Sequence, residues 1–216
     1  KFPLEIIKYV LMKTGVFTST IAEAGAFIKT KDELEAPNIQ LHYAPAMVID
    51  HGRKSAWGTG LSCHSCLLRP KSRGEVTLES ADPFADPLID PKFLTHPDDM
   101  KDMIDGYKAM MKVLNNASFS EYISQNTQRP IDINDDADIE NAIREEADTV
   151  YHPVGTCKMG DDDMSVVSSD LKVHKMKGLR VVDASIMPTL VGGNTNAPTI
   201  MIGEKASDLI LNEWRI

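Results

Sequence analysis

No stretch of the 216-residue chain holds the roughly 20 consecutive apolar residues a membrane-crossing helix requires, so no spanning helix is expected. Cysteine is scarce. Cys63, Cys66 and Cys157 cannot form a closed disulfide set, and three thiols in a chain of this size point to a reducing compartment or a metal site. Positive charge is in deficit, 23 Lys and Arg against 32 Asp and Glu for a net of −9, which argues against a nucleic-acid partner held through its phosphates. Several catalytic fingerprints are missing as well. Gly58-Thr-Gly60 lacks the third glycine and the following helix of G-x-G-x-x-G, and neither G-x-S-x-G nor H-E-x-x-H occurs. No internal repeat is visible. The chain starts at Lys1 without a basic-then-apolar leader, and we expect it to be processed or cut from something longer.

What is present is the composition of a folded chain, 42% hydrophobic and 25% charged, which is too apolar for overall disorder and long enough for one or two domains. Leu4 to Met12 sets Ile7, Val10 and Leu11 at helical spacing ahead of Gly15. Phe17 to Lys29 reads as a strand with a close backbone approach at Gly25. After Pro37, Ile39 to Tyr43 alternates like a half-buried strand, and Ala56 to Leu68 has weaker strand character. Arg69-Pro-Lys-Ser-Arg73-Gly74 reads as a turn before an alternating strand at Glu75 to Glu79, with Val76 and Leu78 on one face. Three Asp-Pro steps between Ala81 and Pro91 predict an extended surface loop.

Pro97, Asp98 and Asp99 suit a helix first turn, and Met100, Met103, Ile104, Tyr107, Met111 and Leu114 continue it as an apolar stripe. A second helix is predicted over Asp136 to Asp148, with Ile139, Ala142, Ile143 and Ala147 inward. In the last third, Gly178 to Asp183 reads as a short buried strand and Met187 to Asn196 as a Gly- and Asn-rich loop. A helix from about Thr199 to Asn212 follows, capped by Asn196.

Three features can carry chemistry. His152, followed by Pro153 and Gly155, lies on a constrained loop, and imidazole is the side chain best suited to moving a proton near neutral pH. Alone, it reads more readily as a loop histidine bonded to a backbone carbonyl. Asn194-Thr195-Asn196-Ala-Pro198 leads into a helix N-terminus, whose unpaired amides favour negative charge such as a phosphate, an enolate or a reduced flavin. Cys63-His64-Ser-Cys66 with His152 and Cys157 has the arithmetic of a zinc set, but a strand would put Cys63 and Cys66 on opposite faces. Asp161-Asp162-Asp163 lacks the ligand spacing of a calcium loop and reads as solvated loop.

Tyr151-His152-Pro-Val-Gly-Thr-Cys157-Lys-Met-Gly160, Val173-His174, Gly178-Leu-Arg-Val-Val-Asp183-Ala184-Ser-Ile-Met-Pro188 and Gly192-Gly-Asn194-Thr195-Asn196-Ala-Pro-Thr199 together resemble the C-terminal signature of the glucose–methanol–choline (GMC) flavoprotein oxidoreductases. Arg69 to Gly74 with Asp82-Pro83, and Glu23 to Phe27 ahead of Ile39 to Tyr43, resemble the same family's substrate domain. The likeness runs along essentially the whole chain and is nearest to bacterial choline-dehydrogenase-like and aliphatic-alcohol dehydrogenases.

The resemblance implies an α+β fold: a mostly antiparallel substrate-domain sheet backed by helices, plus the C-terminal strand-loop-helix return of an FAD-binding domain. It implies residues 1–147 as substrate domain and 148–216 as the segment carrying the catalytic histidine, with the N-terminal FAD-binding half absent. The implied reaction is FAD-dependent oxidation of a primary alcohol, choline-like or aliphatic, to an aldehyde, with His152 as base, Asn194 on the substrate oxygen and hydride passed to flavin N5. Asp183, Ala184, Thr195 and Asn196 match cofactor-binding positions, and Glu23 matches a substrate-side glutamate for a cationic head group. The fragment alone is expected to be inactive and to hold FAD weakly or not at all. The implied partners are the alcohol, a quinone or other electron acceptor and the missing FAD-binding half. No metal and no nucleic acid are implied. A cytoplasmic location is expected, with peripheral association at the inner membrane left open. The alternatives are a GMC oxidase using oxygen and a non-catalytic zinc-stabilised binding module.

Overall fold

A computed structural model describes residues 2–20, 22–48, 50, 53–54, 60–119, 121–123 and 130–214. By chain contacts the molecule divides into two compact units, Lys1–Cys66 with Asp102–Ala147, and Leu67–Lys101 with Asp148–Ile216.

The first unit begins with α1 (Phe2–Met12), followed by a 3-10 turn at Val16–Thr18. The apolar residues that give α1 its helical spacing stay in solvent: Ile7, Val10 and Leu11 are all exposed. Of the long strand expected over Phe17 to Lys29, only β1 (Ala24–Ile28) forms, because the 3-10 turn takes its first residues. β1 pairs antiparallel with β2 (Ile39–Ala44) from Ala24↔Tyr43 to Ile28↔Ile39. The close approach predicted at Gly25 is real. A Cβ there would lie 2.9 Å from the Leu41 carbonyl oxygen, so only glycine fits without a shift.

β3 (Ser62–Leu67) completes the order β1-β2-β3. Residues 55–59, the start of the predicted third strand and most of the Gly58-Thr-Gly60 run, lie outside the described residues. β2 is not half-buried as its alternation suggests. As the central strand it buries Ile39, Gln40 and Leu41 in succession, and Asn38 ahead of it is buried too. α2 (Pro97–Leu114) has the predicted bounds and buries Met100, Ile104 and also Met110. α3 (Asp136–Glu146) starts behind an Asp135 cap that accepts from the Ala137 amide, and buries Ile139, Ala142 and Ile143. Ala147 is not inward: it is the extended C-cap.

In the second unit β4 (Glu75–Thr77) pairs antiparallel with β5 (Leu88–Asp90). The Asp-Pro steps at each end of β5 hid it, since they permit three extended residues but no longer ladder. Both strands are exposed, and Val76 and Leu78 face solvent.

The unit's core joins Val167, Leu171, Ile186, Met187, Ile202 and Ala206. The last two lie on α4 (Asn196–Trp214), which begins three residues earlier than the sequence suggests, so Asn196 is its first residue and not its cap. Glu213, near the far end of α4, pairs with Lys172 at 2.9 Å and with Arg180. Residues 178–183 form no ladder. They carry a single bridge, Lys172↔Arg180, because residues 172–174 sit between Leu171 and Lys175, both with positive φ, and are too short to pair further.

The Arg69–Gly74 loop is tied to the start of α2 by one buried carboxylate. Asp99, 2% exposed, accepts from the amides of Lys71 and Ser72 at 2.8 Å each and from the Ser72 hydroxyl. That hydroxyl in turn accepts from the His96 amide at 3.0 Å. Burial pushes the Asp99 carboxyl up, but the Ser72 hydroxyl and the two amides outweigh it and hold the pKa below the usual value. With the folded pKa depressed, Asp99 contributes stability above the ordinary carboxylate pKa, and that contribution is lost as pH falls through the lowered value. Asp99→Asn is expected to cost about 1–3 kcal/mol at pH 7 and to lose less stability than wild type on acidification. Urea unfolding at pH 7 and pH 4 checks both.

Candidate active site

The loop 151–160 is strapped to the chain that feeds α4. The Cys157 amide donates to the Ser185 carbonyl at 3.0 Å and the Met159 amide to the Ile186 carbonyl at 2.8 Å. Ile186 and Met187 are themselves core residues packed with Ile202 and Ala206 of α4. The histidine loop and the helix start are therefore fixed through one apolar cluster.

Within that frame the structure brings His152, Asn194 and Thr195 together. His152 Nδ1 lies 2.8 Å from Thr195 Oγ1, and Asn194 Nδ2 lies 3.1 Å from His152 Nε2. An amide NH2 can only donate, so the second contact is satisfied when Nε2 carries the lone pair. The ring proton then sits on Nδ1 and is donated to the Thr195 hydroxyl. Thr195 is buried, whereas Asn194 is exposed, so the Nε2 side of the pair is the accessible one.

Tyr151, immediately before the histidine, is held at φ 64 and is exposed. A non-glycine residue in the left-handed region costs on the order of 1 kcal/mol. Its amide donates to Thr149 Oγ1 at 2.9 Å, which holds the bend that aims His152. The sequence gives no sign of this strain.

The other expected site residues fall nearby or apart. Asp183 accepts from the Ser185 amide at 2.7 Å and from its hydroxyl, capping the 3-10 turn Ala184–Ile186. Asp183 and Ala184 line an open depression of about 370 Å³ with Pro153, Val154, Thr156 and Thr199. Asn196 opens α4, where backbone amides of the first turn have no helical partner. Glu23 is exposed, directly ahead of β1, and belongs to the unit containing residues 1–66.

Thr199, not among the expected site residues, donates both its amide and its hydroxyl to the Thr195 carbonyl, at 3.0 and 2.7 Å. Its only sequence signal is a threonine four residues after another at a helix start.

The cysteines show a different environment. Cys63, Cys66 and Cys157 form no disulfide, and among the described residues no group of three or more His, Cys, Asp or Glu is placed to hold a metal. Burial pushes the Cys63 thiol up to about 11 although a hydrogen bond from Tyr43 opposes it, and burial likewise raises Cys66. Such thiols are poor nucleophiles. Asp162 accepts from Lys158, the Ser165 hydroxyl and the Met164 amide, so it organises its own turn.

A model of the GMC oxidoreductase family matches residues 70–203, well over half of the chain. The chain belongs to the GMC oxidoreductase family. It is 46% identical over 208 residues to an alcohol dehydrogenase [acceptor] of Pseudomonas putida, covering 96% of this chain and 38% of that protein. It is 41% identical over 197 residues to an oxygen-dependent choline dehydrogenase of Klebsiella pneumoniae, covering 91% and 36% respectively.

A solved formate oxidase of Aspergillus oryzae, studied for FAD modification, matches with a TM-score of 0.89 at 25% identity, over 99% of this chain and 42% of that one. A pyridoxine 4-oxidase from Mesorbium loti matches with a TM-score of 0.78 at 26% identity, over 87% and 37%. The chain thus spans a little over a third of the length of the curated relatives. The α+β architecture with antiparallel sheets is that of this GMC C-terminal region.

Thr195→Val removes the acceptor for Nδ1 while leaving the Thr195 carbonyl to start α4. The expected outcome is a shift of His152 away from a single tautomer, at a stability cost of about 1 kcal/mol. Nitrogen-15 spectra of the ring measure this, and unchanged ring signals would remove Thr195 from the role.

Proposed function

We infer that the chain is the substrate-side and C-terminal part of an FAD-dependent alcohol dehydrogenase that oxidises a primary alcohol to an aldehyde, with His152 as base. The observation that carries this reading is the His152–Asn194 pair, whose contact leaves the basic lone pair on Nε2, the accessible side. FAD, when bound, supplies the hydride acceptor.

The residues present fit such a group. Asn196 and Ala197 offer first-turn amides at the α4 N-terminus, suited to negative charge on a reduced ring, and Pro198 removes no donor that the helix needs. Ser185 engages the Asp183 carboxylate through Oδ1, and as an anionic acceptor the carboxylate suits a ribose hydroxyl and not a phosphate. Ala184, beside it in the depression, leaves room for the cofactor's backbone.

In this reading His152 Nε2 takes the hydroxyl proton, and the Asn194 amide holds the alcohol oxygen without titrating. Thr195 keeps the Nδ1 proton in place so that the ring can accept at Nε2. The alcohol is aliphatic or choline-like; Glu23, carried over from the resemblance alone, would meet the cationic head group of the latter. A dehydrogenase passing electrons to a quinone or similar acceptor is supported over an oxidase by the 46% identity to an alcohol dehydrogenase [acceptor], whereas the choline dehydrogenase at 41% is an oxygen-dependent one. The reading puts residues 1–147 on the substrate side and 148–216 in the return to the FAD domain. The rest of the flavoprotein is the partner. A cytoplasmic enzyme with peripheral contact to the inner membrane fits electron delivery to a quinone.

In the intact flavoprotein, His152→Ala should slow anaerobic flavin reduction by alcohol by roughly 10²-fold or more. Rapid-mixing absorbance measures it, and unchanged kinetics would sink the assignment.

A further inference from the structure

The Arg69–Gly74 loop and the Gly192–Asn194 turn meet at a contact that neither the histidine nor the cofactor reading uses. A Cβ built on Gly192 would lie 2.6 Å from Arg69 Nη2 and 3.0 Å from its Cζ. The guanidinium therefore occupies the space in which a side chain at position 192 would stand, and glycine is what lets it enter. Two residues further on, Asn194 places its amide against His152 Nε2 at 3.1 Å.

Arg69 is also well anchored from behind. Leu68 before it is buried, and Lys71 and Ser72 after it hang on the buried Asp99 carboxylate by two amides and a hydroxyl. The Ser72 hydroxyl ties the same loop to the His96 amide. All of these residues belong to one compact unit, 67–101 with 148–216. The anchored backbone fixes where the Arg69 side chain starts, and although the residue is exposed, its planar guanidinium lies against a glycine turn that has no side chain of its own.

The geometry points to Arg69 as a positioning residue: its guanidinium braces the Gly192–Gly193 turn so that Asn194 meets both the histidine and the alcohol oxygen. This deepens the proposed function and rests on it. Arg69 touches no reacting atom and acts through Asn194. Its effect falls on the rate of the chemical step, because a misplacement of about 1 Å at a reacting centre can cost up to roughly 10²-fold.

The test uses the intact flavoprotein with bound FAD. Anaerobic flavin reduction is measured over a range of alcohol concentrations for Arg69→Ala, Gly192→Ala, the double variant and His152→Ala, alongside flavin content and thermal midpoint. Arg69→Ala vacates the niche, and Gly192→Ala drives the guanidinium out of it. Each is expected to lower the limiting reduction rate by roughly 10- to 100-fold, with flavin content retained.

In the double variant the new methyl fills the space the guanidinium has left, so the rate should recover above either single variant. A brace that was merely structural, or an effect of the Arg69 charge alone, gives no such recovery. Wild-type rates for Arg69→Ala, or a double variant as slow as the product of the two singles, would overturn the brace. A slow His152→Ala with wild-type Arg69→Ala rejects this inference alone. Wild-type rates for His152→Ala reject the proposed function and the brace with it. If Arg69→Ala loses its flavin or fails to fold, the comparison of Gly192→Ala with the double variant decides by the same recovery.

Discussion

Thr195 carries two obligations at once. Its hydroxyl meets His152 Nδ1, and its carbonyl receives both the amide and the hydroxyl of Thr199 at the start of α4. The direction of the helix and the proton on the histidine are thereby set by one buried residue. A shift of the helix start would move the Nδ1 acceptor with it, and the ring would lose its fixed tautomer. The packing of Ile202 and Ala206 into the core with Ile186 and Met187 prevents that shift. Burying an aliphatic side chain of Ile size contributes about 1.5–3 kcal/mol, more than a net hydrogen bond. The apolar cluster holds the frame, and the hydrogen bonds select the geometry within it.

Much of this was legible in the residues. The loop with His152, the Asn194 turn and the helix behind it are signalled by Gly, Pro and Asn at positions where those residues have specific backbone uses. The faces of α2 and α3 are legible because their buried residues follow a 3.6-residue period, as with Met100 and Ile104 or Ile139 and Ile143, whereas α1 keeps that period with its apolar residues in solvent. β5 was missed because its two Asp-Pro steps look like loop, and the burial of successive residues in β2 was missed because the pattern of one strand cannot reveal its central place in the sheet. The start of α4 was placed late because Asn196 looks like a cap, while the carbonyl that begins the helix belongs to Thr195.

What the sequence could not display is contact between segments far apart along the chain. The pairing of residues 152 and 195, and the approach of residue 69 to residue 192, depend on how loops are folded against one another. The strain at Tyr151 is of the same kind. A tyrosine at positive φ runs against its own preference and persists only because its surroundings fix it, here a threonine bond behind it and the strapped loop ahead. Strain immediately before the proposed base is where a fold would spend it to aim a side chain.

The groups that hold and brace His152 share one property. An amide at Asn194 and a hydroxyl at Thr195 do not titrate near neutral pH, and a guanidinium at Arg69 stays charged throughout. None of them changes charge as the histidine gains or loses its proton, so the geometry that selects the Nε2 lone pair does not depend on the protonation of a neighbour. A titrating residue at position 194 would compete for the same proton and give the pair two coupled ionisations. With asparagine there, the amide donates to Nε2 and brings no second ionisable proton to that nitrogen. In the proposed reaction the hydroxyl of the alcohol would stand between the amide and the ring, accepting from one and donating to the other.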